Sequence, residues 1–167
     1  MKEEDQIIAF FPCVRFENQI NLSFRGEQHG MENFTNEQKI EKCMRLEQER
    51  NMFYQLFSKM VLVCLERNIP LIVENPYSKM HYLTRYWCIK PSVIDYDRTE
   101  RGDYYKKPTQ YWFFNRKPSN NLVFDAVARH PRKKIRALVK DGGINDKVER
   151  SLISKDYANR FIREFII

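Results

Sequence analysis

Leu71-Ile72-Val73-Glu74-Asn75-Pro76 (LIVENP) is the stretch on which the fold turns. Three apolar residues run without a break, and an acid, an amide and a proline follow at once. A short continuous apolar run closed by proline reads as a strand buried on both faces. Just upstream, Asn68-Ile69-Pro70 breaks a long helical pattern that covers residues 35–67. Thr35-x-x-Gln38 opens that pattern as a capping box, in which a hydroxyl and an amide satisfy free backbone N–H groups. Ile40, Cys43, Met44, Phe53, Leu56, Phe57, Met60 and Cys64 then recur at helical spacing, in one helix or two nearly continuous ones. Farther upstream, Gln6–Phe11 is a second short apolar run, and it ends in Pro12-Cys13. Strand, long helix and strand make a βαβ unit, whose parallel strands finish on the same edge. Open α/β sheets carry their chemistry at the carboxyl ends of strands, and Cys13 and Glu74 both fall there.

The rest of the chain adds less regular material. Residues 14–36 read as a long loop containing Gly26 and Gly30, and long loops in compact domains tend to be functional or mobile. Residues 77–107 are aromatic and irregular. Gln110–Phe114 is a third strand candidate and Leu122–Phe124 a fourth. Asp141-Gly142-Gly143 reads as a turn. Ser154 caps a final helix with Ala158, Phe161, Ile162, Phe165 and Ile166 on one face. These elements predict an α/β fold: a partial Rossmann-like sheet, mostly parallel, with a long crossover helix and a C-terminal helix.

The totals agree with one domain over residues 1–167, in which 115–150 form a basic insertion or connection. A chain of 167 residues can bury roughly two thirds of its unfolded surface. An apolar content of 43% with only five glycines excludes a disordered chain. No apolar run approaches the roughly 18 residues a membrane helix needs, and the charged start lacks a signal-type stretch. The four cysteines fit no zinc spacing, so no metal is expected, and a reducing cytoplasm is. Cys43 and Cys64 read as small core residues. The net charge of +7 is uneven: residues 1–99 hold 13 Lys/Arg against 14 Asp/Glu, and residues 100–167 hold 16 against 8. Such segregation suggests a surface for an anionic partner, nucleic acid above all, with a merely solubilising tail as the plain alternative. Arg129, Arg132, Lys133, Lys134 and Arg136 form its densest run.

Each strand-end residue has two readings. A cysteine behind a strand is ordinarily a buried small side chain, whereas a nucleophile needs access and a field that favours thiolate. An acid directly after Leu-Ile-Val is costly to ionise when buried, so its pKa rises and it can donate a proton near neutrality. The alternative is an acid that caps a helix or pairs with Lys79 or Arg85.

Taken together, FFPC after one strand and LIVENP after the next resemble the cytosine-5 DNA methyltransferases, in particular the shorter forms found in phages and mobile elements. GDYYKKPTQYWFF and RSLISKDYANRFIREFI resemble that family's later segments, so the likeness spans residues from about 6 to 167. It implies that the Cys13 thiolate attacks carbon 6 of a flipped-out cytosine. It also implies that Glu74 contacts the ring nitrogen and exocyclic amine. Pro12, Asn75 and Pro76 would line the substrate site, with Asn75 supporting the turn. Arg98 and Arg101, or Lys107 and Thr109, would stand where larger members carry an Arg-x-Arg pair near the base. The methyl donor would be S-adenosylmethionine.

The family also has a strand, a glycine-rich turn and an acidic residue that hold this cofactor. Here only five residues precede the first matched strand, and no GxG follows a strand. The cofactor half is therefore expected to lie outside this chain. Three readings follow: half of a split enzyme, a methyltransferase-derived binder of nucleic acid or a host protein, or a truncated product. An exposed edge and apolar face would favour a homodimer or a cofactor-binding second subunit.

Overall fold

A computed structural model describes residues 5–131 and 151–167. The sheet has four strands: β1 (Ile7–Phe10), β2 (Leu71–Pro76), β3 (Val93–Asp95) and β4 (Thr109–Phe114). Among the described residues four α-helices accompany them: α1 (Gln19–Phe24), α2 (Asn36–Glu66), α3 (Tyr82–Tyr86) and α4 (Lys155–Phe165). A 3-10 helix, Arg98–Arg101, follows β3. The fold is thus α/β, as the patterning predicts.

The βαβ unit forms as expected. Thr35 accepts from the Gln38 N–H, and the Gln38 side chain returns the bond to the Thr35 N–H. β1 pairs parallel with β2, Ile7 opposite Leu71 and Phe10 opposite Glu74. Val73 and Leu71 face α2, where Phe57, Val61 and Cys64 join Trp87, Trp112 and Phe114 in one core. Ile72 faces the other way, against Tyr111 and Phe113 and the Tyr157, Phe161 and Phe165 rings of α4. Both faces of β2 are therefore covered, which explains its unbroken apolar run.

The expectation of a mostly parallel sheet is wrong. The order is β1-β2-β4-β3, and β4 runs antiparallel to both of its neighbours, so two of the three ladders are antiparallel. The crossover helix dictates parallel pairing for β1 and β2, but a later apolar run carries no mark of its direction. The expected strand at Leu122–Phe124 is also absent. Leu122 and Phe124 are almost fully exposed, and their segment is instead tied to α4 through Ser119, Asn121 and Arg160. The remaining strand is β3, three residues long and ending in the polar Asp95. The loop expected over residues 14–36 contains α1.

The apolar stripe expected on α2 is only partly used. Phe57 and Cys64 are buried, whereas Ile40, Met44 and Leu56 are exposed. A 31-residue helix is about 46 Å long, while six-residue strands span only about 20 Å. Much of α2 therefore has no sheet beneath it. On the open edge, Ile8 and Phe10 of β1 are likewise exposed. No described helix is long and apolar enough to cross a membrane.

His81, just before α3, gives the fold a pH dependence. It is buried beside Gln110, whose side-chain nitrogen lies 3.4 Å from His81 Nδ1. Burial pushes the imidazole pKa down to about 4. The unfolded chain therefore takes up this proton first as pH falls from about 6.5. Stability is complete above pH 6.5 and declines towards pH 4, by roughly 3 kcal/mol from this residue. Glu74 works in the opposite sense, because burial raises its pKa and the folded state holds its proton more tightly. His81→Gln is expected to flatten the acid limb of urea midpoints measured from pH 7 to 4, which an unchanged limb would contradict.

Candidate active site at the ends of β1 and β2

The in-register ladder brings both strand ends to one edge of the sheet. Beyond β1 the chain turns sharply: the Cys13 carbonyl accepts the Phe16 N–H at 2.7 Å and the Glu17 N–H at 3.1 Å. This turn carries the Glu17 carboxylate back to Cys13, whose Sγ–H donates to Glu17 Oε1 at 2.9 Å. Asn75 locks the neighbouring strand end. Its buried Nδ2 donates to the Phe11 carbonyl at 2.9 Å and to the Glu74 carbonyl at 3.0 Å. The turn-supporting placement expected for Asn75 is thus a tie between the two strand ends.

Cys13 and Glu74 line one cavity of about 460 Å³, together with Pro12, Pro76, Arg98 and Lys107. Phe10, Phe11 and Leu152 add apolar wall. That size suits a small ligand or a base. The Glu74 carboxyl is buried, and burial raises its pKa against the opposing charges of Lys107 and Arg98. Its charged neighbours are these two, not Lys79 or Arg85. Burial also pushes the Cys13 thiol up to about 12, helped by the Glu17 hydrogen bond and charge and by Glu74, with Lys107 pulling the other way.

Arg98 is fully buried. It pairs with Asp103, and its guanidinium lies 4.5 Å from the centre of the Tyr157 ring. Its Nε and Nη1 have no hydrogen-bond partner among the described residues. The pocket is therefore lined by a fixed cation with donors to spare. The 3-10 helix that presents Arg98 is capped by Asp97, which accepts the Thr99 N–H at 3.0 Å. The Tyr157 hydroxyl donates to Asp95 at 3.1 Å and shares a 2.8 Å hydrogen bond with Tyr111.

Two expected substrate residues stand elsewhere. Arg101 makes two bonds to Glu164 and lies 3.2 Å from Asp95, which fastens the 3-10 helix to α4. Thr109 is buried and donates to the Lys107 carbonyl at 2.9 Å, so it supports Lys107 from behind. Arg129 is exposed on an irregular segment. Arg132, Lys133, Lys134 and Arg136, and the turn at residues 141–143, lie outside the described residues.

Glu17 and Asp103 escape the sequence reading. Glu17 has only its distance of four residues from Cys13 to mark it, and a turn had to be known before that spacing meant contact. Asp103 follows Gly102, which occupies the left-handed region at φ +90 and lets the chain fold back on the 3-10 helix. A Cβ at Gly102 would meet Asp156 Cβ at 3.0 Å, so α4 also docks there.

No known protein family, curated protein or solved structure matches this chain.

The donor set bears on cofactors directly. None of the described glycines follows a strand: Gly26 and Gly30 come after α1, and Gly102 after the 3-10 helix. A phosphate- or methionine-binding cradle of the expected kind needs glycine after a strand. The described residues therefore do not fit S-adenosylmethionine in that manner. Among them there is also no group of three His, Cys, Asp or Glu side chains able to hold a metal.

Proposed function

We propose that the cavity at the ends of β1 and β2 receives a cytosine base of a nucleic acid and adds the Cys13 sulfur to it, as in the cytosine-5 DNA methyltransferases that the sequence resembles. The supporting observation is the convergence of Cys13, Glu74, Arg98 and Lys107 on one cavity.

The proton on Cys13 has an acceptor in reach, Glu17 Oε1. Once it leaves, a sulfur electron pair forms a bond to carbon 6. The electrons of the C5–C6 double bond shift through carbon 4 to the ring nitrogen, which takes the proton that buried Glu74 holds. Arg98 offers N–H groups to the carbonyl oxygen of the base, and Lys107 lowers the cost of thiolate. Carbon 5 is then electron-rich. No step through S-adenosylmethionine is assigned to these residues, and methyl transfer would require a second subunit to bring that cofactor.

Addition alone is measurable. In D₂O the activated carbon 5 takes a solvent deuteron, loses its original proton to a base, and the sulfur leaves, giving cytosine deuterated at carbon 5. Wild-type protein is expected to deuterate a cytosine-containing oligonucleotide, and Cys13→Ser to leave it unlabelled. Absence of label with wild type would overturn the addition step. A second reading is a binder of nucleic acid or a host protein without catalysis, favoured by a thiol pKa of about 12. It is the one left standing by bound, unlabelled oligonucleotide.

A further inference from the structure

We propose that a second cleft, between α1, the middle of α2 and α3, binds a nucleotide unit of a single nucleic-acid strand, holding phosphate through arginines and a base through tyrosines. The cleft encloses about 500 Å³ and is lined by Arg25, Arg50 and Arg85 with the rings of Phe24, Tyr82 and Tyr86. No carboxylate lines it. The inference deepens the nucleic-acid side of the reading above but needs no reaction at Cys13.

The chemistry of the walls selects this occupant. The Arg50 guanidinium lies 4.4 Å from the centre of the Tyr82 ring and 5.1 Å from that of Phe24, so its plane is held by aromatics. The Arg85 guanidinium lies 5.4 Å from the Tyr86 ring centre, and among the described residues the hydrogen bond of its side chain goes to the Met80 sulfur at 3.6 Å. Sulfur is a weak acceptor, so a strong anion would displace it. Glu27 and Glu47 pair with Arg25 and Arg50 from outside the cleft wall. Tyr86 is 61% exposed, a large ring whose face is not used in the core. Cations beside open aromatic faces match a stacked base carrying a phosphate better than an acidic peptide, which has no ring to stack.

The position is also informative. Phe16 lines this cleft, and its backbone joins the two sites: its N–H donates to the Cys13 carbonyl at 2.7 Å, and its carbonyl accepts the Tyr82 N–H at 2.8 Å. The turn from Cys13 to Phe16 therefore has a cavity on either side. A strand seated on the tyrosines would cross this turn to reach Cys13. The basic run at residues 129–136 is not required.

The test is anisotropy of a short fluorescein-labelled single-stranded oligonucleotide across a salt series. Arg25→Glu/Arg85→Glu is expected to weaken binding tenfold or more at low salt and to flatten the log–log salt slope by about 1.4, two single-strand phosphate contacts. Tyr86→Ala is expected to cost about tenfold with the slope unchanged. Lys133→Glu/Lys134→Glu should bind as wild type. Arg25, Arg85 and Tyr86 are exposed, and circular dichroism checks that each variant is folded. Wild-type protein cross-linked to a 5-iodouracil oligonucleotide gives an answer without variants: label on residues 82–86 supports the site. Label confined to residues 129–136, or unchanged affinity in both cleft variants, would overturn it. Polyglutamate displacing the oligonucleotide at equal charge would overturn it too, in favour of an acidic protein. Cytidine monophosphate that competes as strongly as a matching oligonucleotide segment would identify a free nucleotide as the source.

Discussion

In urea unfolding, Arg98→Met is expected to cost about 3–5 kcal/mol, the usual penalty for breaking a buried ion pair from one side. Arg98 is fully buried, and its partner Asp103 is almost equally so. The methionine would leave a carboxylate in a low-dielectric interior with the Tyr104 N–H, at 2.7 Å, as a remaining support. It would also strip the cation from the Tyr157 ring. The double variant Arg98→Met/Asp103→Leu removes both charges, and it should recover much of the loss because apolar replacements of a buried pair are often neutral. A double variant no better than the single one would mean that the arginine acts through its packing. Because Arg98 also lines the Cys13 cavity, any loss of oligonucleotide binding must be read at a temperature where the variant is fully folded.

Glu17→Gln is expected to raise the alkylation rate of Cys13 by about tenfold or more at neutral pH, since each unit of pKa is a tenfold change in thiolate. The amide keeps an oxygen that can accept the Sγ–H bond, but the negative charge is gone. That charge is one of the causes that hold the thiol near 12. Burial, the largest cause, remains, so the variant thiol should still lie above an ordinary cysteine. Lys107→Met is expected to act in the opposite direction, because Lys107 is the charge that favours thiolate. Site-resolved mass spectrometry after iodoacetamide treatment separates Cys13 from exposed Cys88. Equal rates for wild type and Glu17→Gln across pH would show that the contact does not govern the thiol.

How much of this is legible from residues alone depends on how local the cause is. The Thr35 and Ser154 caps can be read because each needs only three residues, and both bond as expected. The βαβ unit can be read because a short buried run, a long crossover and a second run admit one pairing direction. The gathering of Cys13 and Glu74 follows from that unit. Arg98 and Lys107 reach the same cavity, although Arg101 and Thr109 do not: Asp95 and Glu164 hold Arg101, and Thr109 bonds the Lys107 carbonyl. What stays illegible is mostly long-range: the direction of β4 and the identity of β3. Glu17 is local, four residues from Cys13, but its contact depends on a turn that the residue types do not mark. The exposed face of α2 has a different cause. Helical spacing gives a stripe, but only the length of the sheet decides how much of that stripe finds a partner.

β4 has a consequence for the order of events during synthesis. β3 precedes it in the chain, yet β3's ladder in the sheet is with β4 alone. A nascent chain that has emerged only through residue 108 can join β1 to β2 but leaves Val93–Asp95 without its partner. Pairing of residues 109–114 with β2 then completes the central ladder and admits β3. α3 can already dock on Phe16 and α2, but Val93–Asp95 and the turns that follow it must wait for β4. Slow passage of the ribosome over residues 93–108 would therefore lower yield more than slow passage over α2, whose capped helix can form locally.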